Sequence, residues 1–205
     1  MSTLGDVVAS LTAHGRAVAT YAPDDLAGRR MYIAVGALFG VGGIIANVAI
    51  DGVSQLLDTS FMLVALVLVI IIPLRPTAGL IAYQLCWTVL LIAPDAFMTD
   101  MFMSNNAFFL FLGRFLPAWL AVSLLLMNAL VDFASILMSP TTQVDANCIS
   151  ALASNLFMGL LLLSVGMTLR SAEVARRREV GRAGEQLEEM RLEIAREMHD
   201  LVAYS

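Results

Sequence analysis

Between Met31 and Ile50 the chain reads MYIAVGALFGVGGIIANVAI, a run of 20 residues without a charge. A helix rises about 1.5 Å per residue, so a run of this length spans the roughly 30 Å hydrocarbon core of a bilayer. The pattern recurs. TSFMLVALVLVIIIPL covers 59–74, a third apolar run extends from Ala78 to Pro94, and ISALASNLFMGLLLLSVGMTL covers 149–169. Composition agrees: 59% of the 205 residues are hydrophobic and 14% charged, against roughly 45–50% and 25% in soluble domains. An integral membrane protein of helical class is the expectation. The first apolar run follows a polar lead of 30 residues, so it reads as a retained anchor rather than a cleavable signal.

The stretch 95–138 decides how often the chain crosses. It is too long for one helix and contains Arg114 and Pro117. Crossing once gives five spans and leaves either Arg29–Arg30 or Arg176–Arg177–Arg178 facing outward. Crossing twice, with a tight turn at GRFLP (113–117), gives six. All 12 basic residues are arginines, and short cytoplasmic loops collect them. Six spans place Arg29, Arg30, Arg75, Arg114 and Arg170 on one side, and put Asp51, Asp58, Asp95, Asp132 and Asp145 in outer loops. Arg75, between Pro73 and Pro76, marks a turn, because proline disfavours helix continuation there. The expected fold is therefore all-α: a polytopic membrane bundle of about six spans, both termini cytoplasmic, followed by a cytoplasmic dimerising helix.

This divides the chain into a cytoplasmic N-terminal segment (1–30), a transmembrane domain (31–169), a linker helix (170–189) and a further helical start (190–205). The fourth span, about 96–113, carries Asp100, Asn105 and Asn106. Either it is a short span beneath a polar outer loop, or those three residues line a sensing cavity. Gly36 and Gly40 have the small-xxx-small spacing that permits close helix contact in membranes. GALFGVGG (36–43) is not a phosphate loop, since no Lys-Ser/Thr follows. Trp87 and Trp119 read as interface residues. His14 reads as solvated, and APDDLAGRR (22–30) as a turn into a helix capped by Asp24 or Asp25. Cys86 and Cys148 fit no metal or redox spacing.

After Leu169 the composition changes to arginine and glutamate, with apolar residues at Val180, Ala183, Leu187, Met190, Ile194 and Leu201. Steps of three and four make this the a/d stripe of a helix that packs on a partner. A lone helix cannot bury such a stripe, and a parallel dimer is its simplest outlet. Gly181 and Gly184 weaken the early part by about 1 kcal/mol each relative to alanine. His199 falls at an outward position, away from the seam.

The end of the chain, EEMRLEIAREMHDLVAYS, resembles the phosphoacceptor box of sensor histidine kinases. The likeness is to the class whose response regulators carry a LuxR-type helix-turn-helix. That box typically reads Glu-Arg-x-Arg-Ile-Ala-Arg-Glu-Leu-His-Asp, and this chain supplies Ile194, Ala195, Arg196, Glu197, Met198, His199 and Asp200 in that order. The resemblance implies that 190–205 begins a dimerisation and histidine phosphotransfer domain. It makes His199 the phosphoacceptor and Asp200 the carboxylate that orients the ring or acts as base. Imidazole suits the task because it offers a neutral nitrogen near neutral pH. Tyr204 stands where the family has Gln or His for dephosphorylating the regulator; a phenol reaches differently, so phosphatase activity is not carried over.

The resemblance also implies partners: a second copy as homodimer, a response regulator with a LuxR-type DNA-binding domain, and membrane lipid, in a bacterial inner membrane, with no direct nucleic-acid contact. ATP and Mg2+ are expected for the full-length kinase. No Asn-rich and Gly-rich boxes of an ATP-binding domain occur within 1–205, so this chain is expected to hold sensor and phosphorylation site without the catalyst and without a cofactor of its own. Two rivals stay open: a non-enzymatic transporter or assembly subunit, and a decoy that dimerises with full-length kinases.

Overall fold

The computed structural model describes residues 26–51, 56–89, 102–138 and 146–203. His14, the Asp24 or Asp25 cap, Asp95, Asp100, Asp145 and Tyr204 lie outside them, as do the side chains of Asp51, Asp58, Cys148 and Asp200. Every element among the described residues is helical. The helices are α1 (Leu26–Asp51), α2 (Leu56–Ile71), α3 (Pro76–Thr88), α4 (Phe102–Phe115), α5 (Ala118–Met138) and α6 (Ala146–Ala203). By length and composition, three are fit to cross a membrane: Gly28–Ala46, Ala118–Met138, and the helix that runs from Ile149 to His199. The chain divides into two compact units, Met1–Met167 and Thr168–Ser205.

In the first unit the breaks follow proline chemistry. Helix α2 ends at Ile71, the chain turns through 72–75, and Pro76 opens α3, where its missing N–H costs nothing. Leu74 and Arg75 donate their amides to the Ile71 carbonyl at 2.9 Å. The second break falls at Leu116–Pro117. The Pro117 carbonyl then accepts from the amides of Leu120 at 3.1 Å and Ala121 at 3.0 Å, starting α5. Two helices, not one, occupy the described part of 95–138.

Successive helices run antiparallel. A β-carbon on Gly36 would lie 3.0 Å from Val69 Cγ1, and one on Gly40 would strike Leu66, so the beginning of α1 lies level with the end of α2. The small-xxx-small spacing thus marks a close α1–α2 contact. Tyr32 packs edge-on against Phe111 and Phe115 near the end of α4, while Gly43 faces Met103 near its start. These levels bring Arg29 and Arg30, Arg75 and Arg114 to the same end of the bundle.

Helix α4 occupies the middle. Residues 104–116 are buried without interruption, and the helix packs against α1, α2, α3 and α5. Its aromatic residues fill the centre: Phe108 stacks on Tyr83 at 4.5 Å and Phe111 tilts against Phe115 at 5.8 Å. Such pairs contribute about 0.5–1.5 kcal/mol each beyond their buried area. The outer faces are the apolar ones: Leu38 is 72% exposed, Leu130 65% and Phe157 67%. Polar side chains instead lie inside, among them Asn105, Arg114, Asn128 and Asp132.

Two expectations are corrected here. Asp132 is not in a loop; it sits on α5, fifteen positions after Pro117, and is buried. Asp51 and Asp58 likewise belong to helices, at the last position of α1 and the third of α2. Charge sorting misplaced Asp132 because it treats every carboxylate as needing water, whereas this one is held by hydrogen bonds.

The second unit is the remainder of α6. Glu173 and Arg177 form an i,i+4 ion pair at 3.1 Å. Val180, Leu187, Met190, Ile194 and Met198 are all exposed.

Candidate functional site

The first unit carries a buried polar cluster centred on Asp132. The residues Asn128, Asp132 and Ser135 follow one another by four and three, which places them on one face of α5. All three are buried. Asp132 Oδ1 accepts a hydrogen bond from Trp87 Nε1 of α3 at 2.8 Å. Its Oδ2 accepts from Asn155 Nδ2 of α6 at 2.6 Å. Three helices therefore meet on one carboxylate. One turn earlier on α5, Asn128 exchanges two amide hydrogen bonds with Asn105 of α4, at 3.1 and 3.2 Å.

Several buried polar atoms on the helices that build this cluster have no hydrogen-bond partner among the described residues: Tyr83 Oη, both amide atoms of Gln84, Asn106 Oδ1, Ser135 Oγ and Asn155 Oδ1. Tyr83 lies one turn before Trp87 on α3, and their rings stack at 6.4 Å. Burying such groups unpaired costs roughly 1–3 kcal/mol each. A buried carboxylate with the orphaned oxygens of Asn155, Ser135 and Tyr83 on the residues beside it or packed with its partners is a candidate binding site.

Trp87 is thus not an interface residue: it is buried and holds a carboxylate, whereas Trp119, at the second position of α5, is exposed. Of the residues suggested for a sensing cavity, Asn105 is engaged with Asn128, and Asn106 is buried with its oxygen unpartnered. The signal for the cluster was present in the sequence as Asn128–Asp132–Ser135, polar residues at helical spacing within an otherwise apolar segment.

At the opposite end of the bundle, Arg114 is buried and donates from Nε to Tyr32 Oη at 2.7 Å. Its guanidinium carbon stands 5.3 Å from the Tyr32 ring centre and 5.6 Å from that of Phe115. The charge sits in the last turn of α4, where the helix dipole favours a cation.

In the second unit, His199, which the sequence resemblance singles out as phosphoacceptor, is helical and exposed, and its neighbours Glu197 and Met198 are exposed too. Asp200 continues the helix. Cys86 is a free thiol. Among the described residues, no three of His, Cys, Asp and Glu come together as a metal centre. Comparison with protein-family models, curated proteins and solved structures returns no match for this chain.

Proposed function

We propose that this chain is the membrane sensor portion of a two-component histidine protein kinase, in which His199 accepts a phosphoryl group and passes it to a response regulator. The observation that carries the reading is the segment Ile194–Asp200, which has the phosphoacceptor order on a continuous helix with His199 exposed. Exposure matters because the donor ATP must be presented by a separate catalytic domain, and the product must then reach a regulator. The lone pair of an imidazole nitrogen forms the N–P bond as the γ-phosphorus parts from ADP. Asp200 orients the ring and favours the tautomer with that nitrogen unprotonated. Transfer of this kind depends on positioning and electrostatics, with Mg2+ supplied alongside ATP.

The first unit serves as a six-pass sensor with both termini in the cytoplasm. Arginines gathered at one end of the bundle support this orientation under the positive-inside rule, and the outward apolar faces suit lipid contact. The exposed stripe through Val180, Leu187, Met190 and Ile194 supports pairing with a second copy.

The test is phosphoryl transfer in vitro. The chain in lipid nanodiscs is mixed with a separately expressed catalytic domain from a kinase of the same class, together with radiolabelled ATP and Mg2+. Acid-labile, base-stable label on the chain is expected, and its loss in His199→Ala. Label that survives His199→Ala, or no label at all, overturns the proposal.

A further inference from the structure

We propose that Asp132 and the oxygens around it bind a small monovalent cation of sodium's size class inside the helix bundle. The inference rests on the first unit lying in a membrane and not on any role for His199. A carboxylate within a span costs roughly 3 kcal/mol on insertion scales and commonly marks an ion path or site. Asp132 is 3% exposed, and its two hydrogen-bond donors, Trp87 Nε1 and Asn155 Nδ2, are neutral. They satisfy lone pairs but leave one whole negative charge. Arg114 belongs to the other end of the bundle, beside Tyr32, and does not answer it.

The atoms left over have the chemistry of a hard-cation site. Asn155 holds Asp132 through its nitrogen, which leaves its Oδ1 beside the carboxylate and unpartnered. Ser135 Oγ is fully buried one turn along the same face of α5 and also unpartnered. Tyr83 Oη, fully buried on the ring that stacks with Trp87, is a third. Carboxylate, amide, hydroxyl and phenol oxygens suit sodium- or magnesium-like ions. Divalent cations recruit several carboxylates or keep their water. One carboxylate with neutral oxygens balances a single positive charge.

The chain has two tryptophans, so Trp119→Phe leaves Trp87 as the sole reporter, hydrogen-bonded to the proposed site. This full-length variant in nanodiscs is titrated with sodium chloride against N-methyl-glucamine chloride at matched ionic strength. The proposal expects a saturable change in Trp87 emission with sodium and none with the bulky organic cation. Asp132→Asn abolishes the response, and Ser135→Ala raises the half-saturating concentration. Asparagine at 132 keeps its partners once Asn155 turns its amide over, so the fold is retained; sodium-free melting checks this. Should Asp132→Asn fail to fold, Ser135→Ala decides, and an unchanged midpoint overturns the site. Equal responses to both salts, no saturable response, or a response that survives Asp132→Asn overturns it as well. None of these readouts involves phosphoryl transfer, so this site and the kinase reading fail independently.

Discussion

Gly113 of α4 and Gly166 of α6 let two helix backbones meet directly: a β-carbon on Gly113 would fall on the Leu163 carbonyl oxygen, and one on Gly166 on the Leu110 carbonyl oxygen. Gly159 continues the line: a β-carbon there would stand 2.9 Å from the Phe109 ring and 3.0 Å from Leu125 Cδ1, closer than van der Waals contact. Helix α6 is therefore keyed to the buried centre of the bundle through absent side chains. In lipid, where apolar surface gains little from leaving solvent, close backbone packing is a main source of helix association.

Gly166→Ala should destabilise the first unit by about 3 kcal/mol, the upper end for overpacking, because the obstacle is a carbonyl rather than a flexible side chain. Gly42→Ala, where nothing lies within 4 Å, should leave stability unchanged or slightly raised. Thermal unfolding in one detergent, followed by circular dichroism, checks both. Equal melting temperatures for the two variants would contradict the contact.

The Asn105–Asn128 pair should behave as a coupled unit. Replacing either asparagine by leucine strands the other amide in the core, at roughly 1–3 kcal/mol. Replacing both removes the orphan, so the double variant should lose less than the two singles together. A double-mutant cycle on unfolding free energies measures the difference, and strict additivity would mean that the two side chains do not interact.

How much of this was legible beforehand depended on which force placed each residue. Pro73, Pro76 and Pro117 act on their own backbone, so the breaks at 72–75 and 116–117 could be read directly. Gly36 and Gly40 were legible because their spacing alone carries the contact. Asp132 and Trp87 were misplaced, because their positions follow from one another across 45 positions of sequence. Composition assigns a lone carboxylate to water and a lone tryptophan to an interface. The unbroken burial of 104–116 was also hidden: a helix surrounded on all sides shows no amphipathic stripe, and Asn105 and Asn106 were compatible with a polar outer loop as well as with a cavity. His199 was singled out by resemblance alone, since its spacing on a charged helix matches any solvated histidine.

Tyr32→Phe should isolate the worth of the Arg114 hydrogen bond while keeping the ring beneath the guanidinium. Bonds to charged groups contribute about 1.5–3 kcal/mol, so a loss of that order is expected. Arg114→Lys should cost more than Tyr32→Phe, because an ammonium lacks the planar stack over Tyr32 and Phe115. Melting temperatures of the two variants give the ranking, and the reverse order would show that the rings contribute nothing.

Gly181 and Gly184 meet nothing within 4 Å, so alanine at either position is free of steric cost. Each substitution should add about 1 kcal/mol of helix stability. Amide hydrogen exchange over 175–190 should slow measurably in Gly181→Ala and further in the double variant. Unchanged exchange would mean that a partner already fixes this stretch.

The exposed stripe of the second unit makes the sharpest statement about assembly. Leu187 lies on it, and Glu185, two positions earlier, points about 200° away around the helix; both are exposed. With Cys86 and Cys148 replaced by alanine, Leu187→Cys should form a disulfide between copies under mild oxidation in liposomes. Glu185→Cys should do so much less. A parallel seam brings identical a/d positions together, which is the geometry a disulfide needs, whereas outward positions lie beyond its reach. Ile194→Glu would place a like charge on both strands of the seam and should weaken Leu187→Cys linkage without altering Glu185→Cys. If the two cysteines link equally, the contact between copies is collisional, and the stripe does not mediate a dimer.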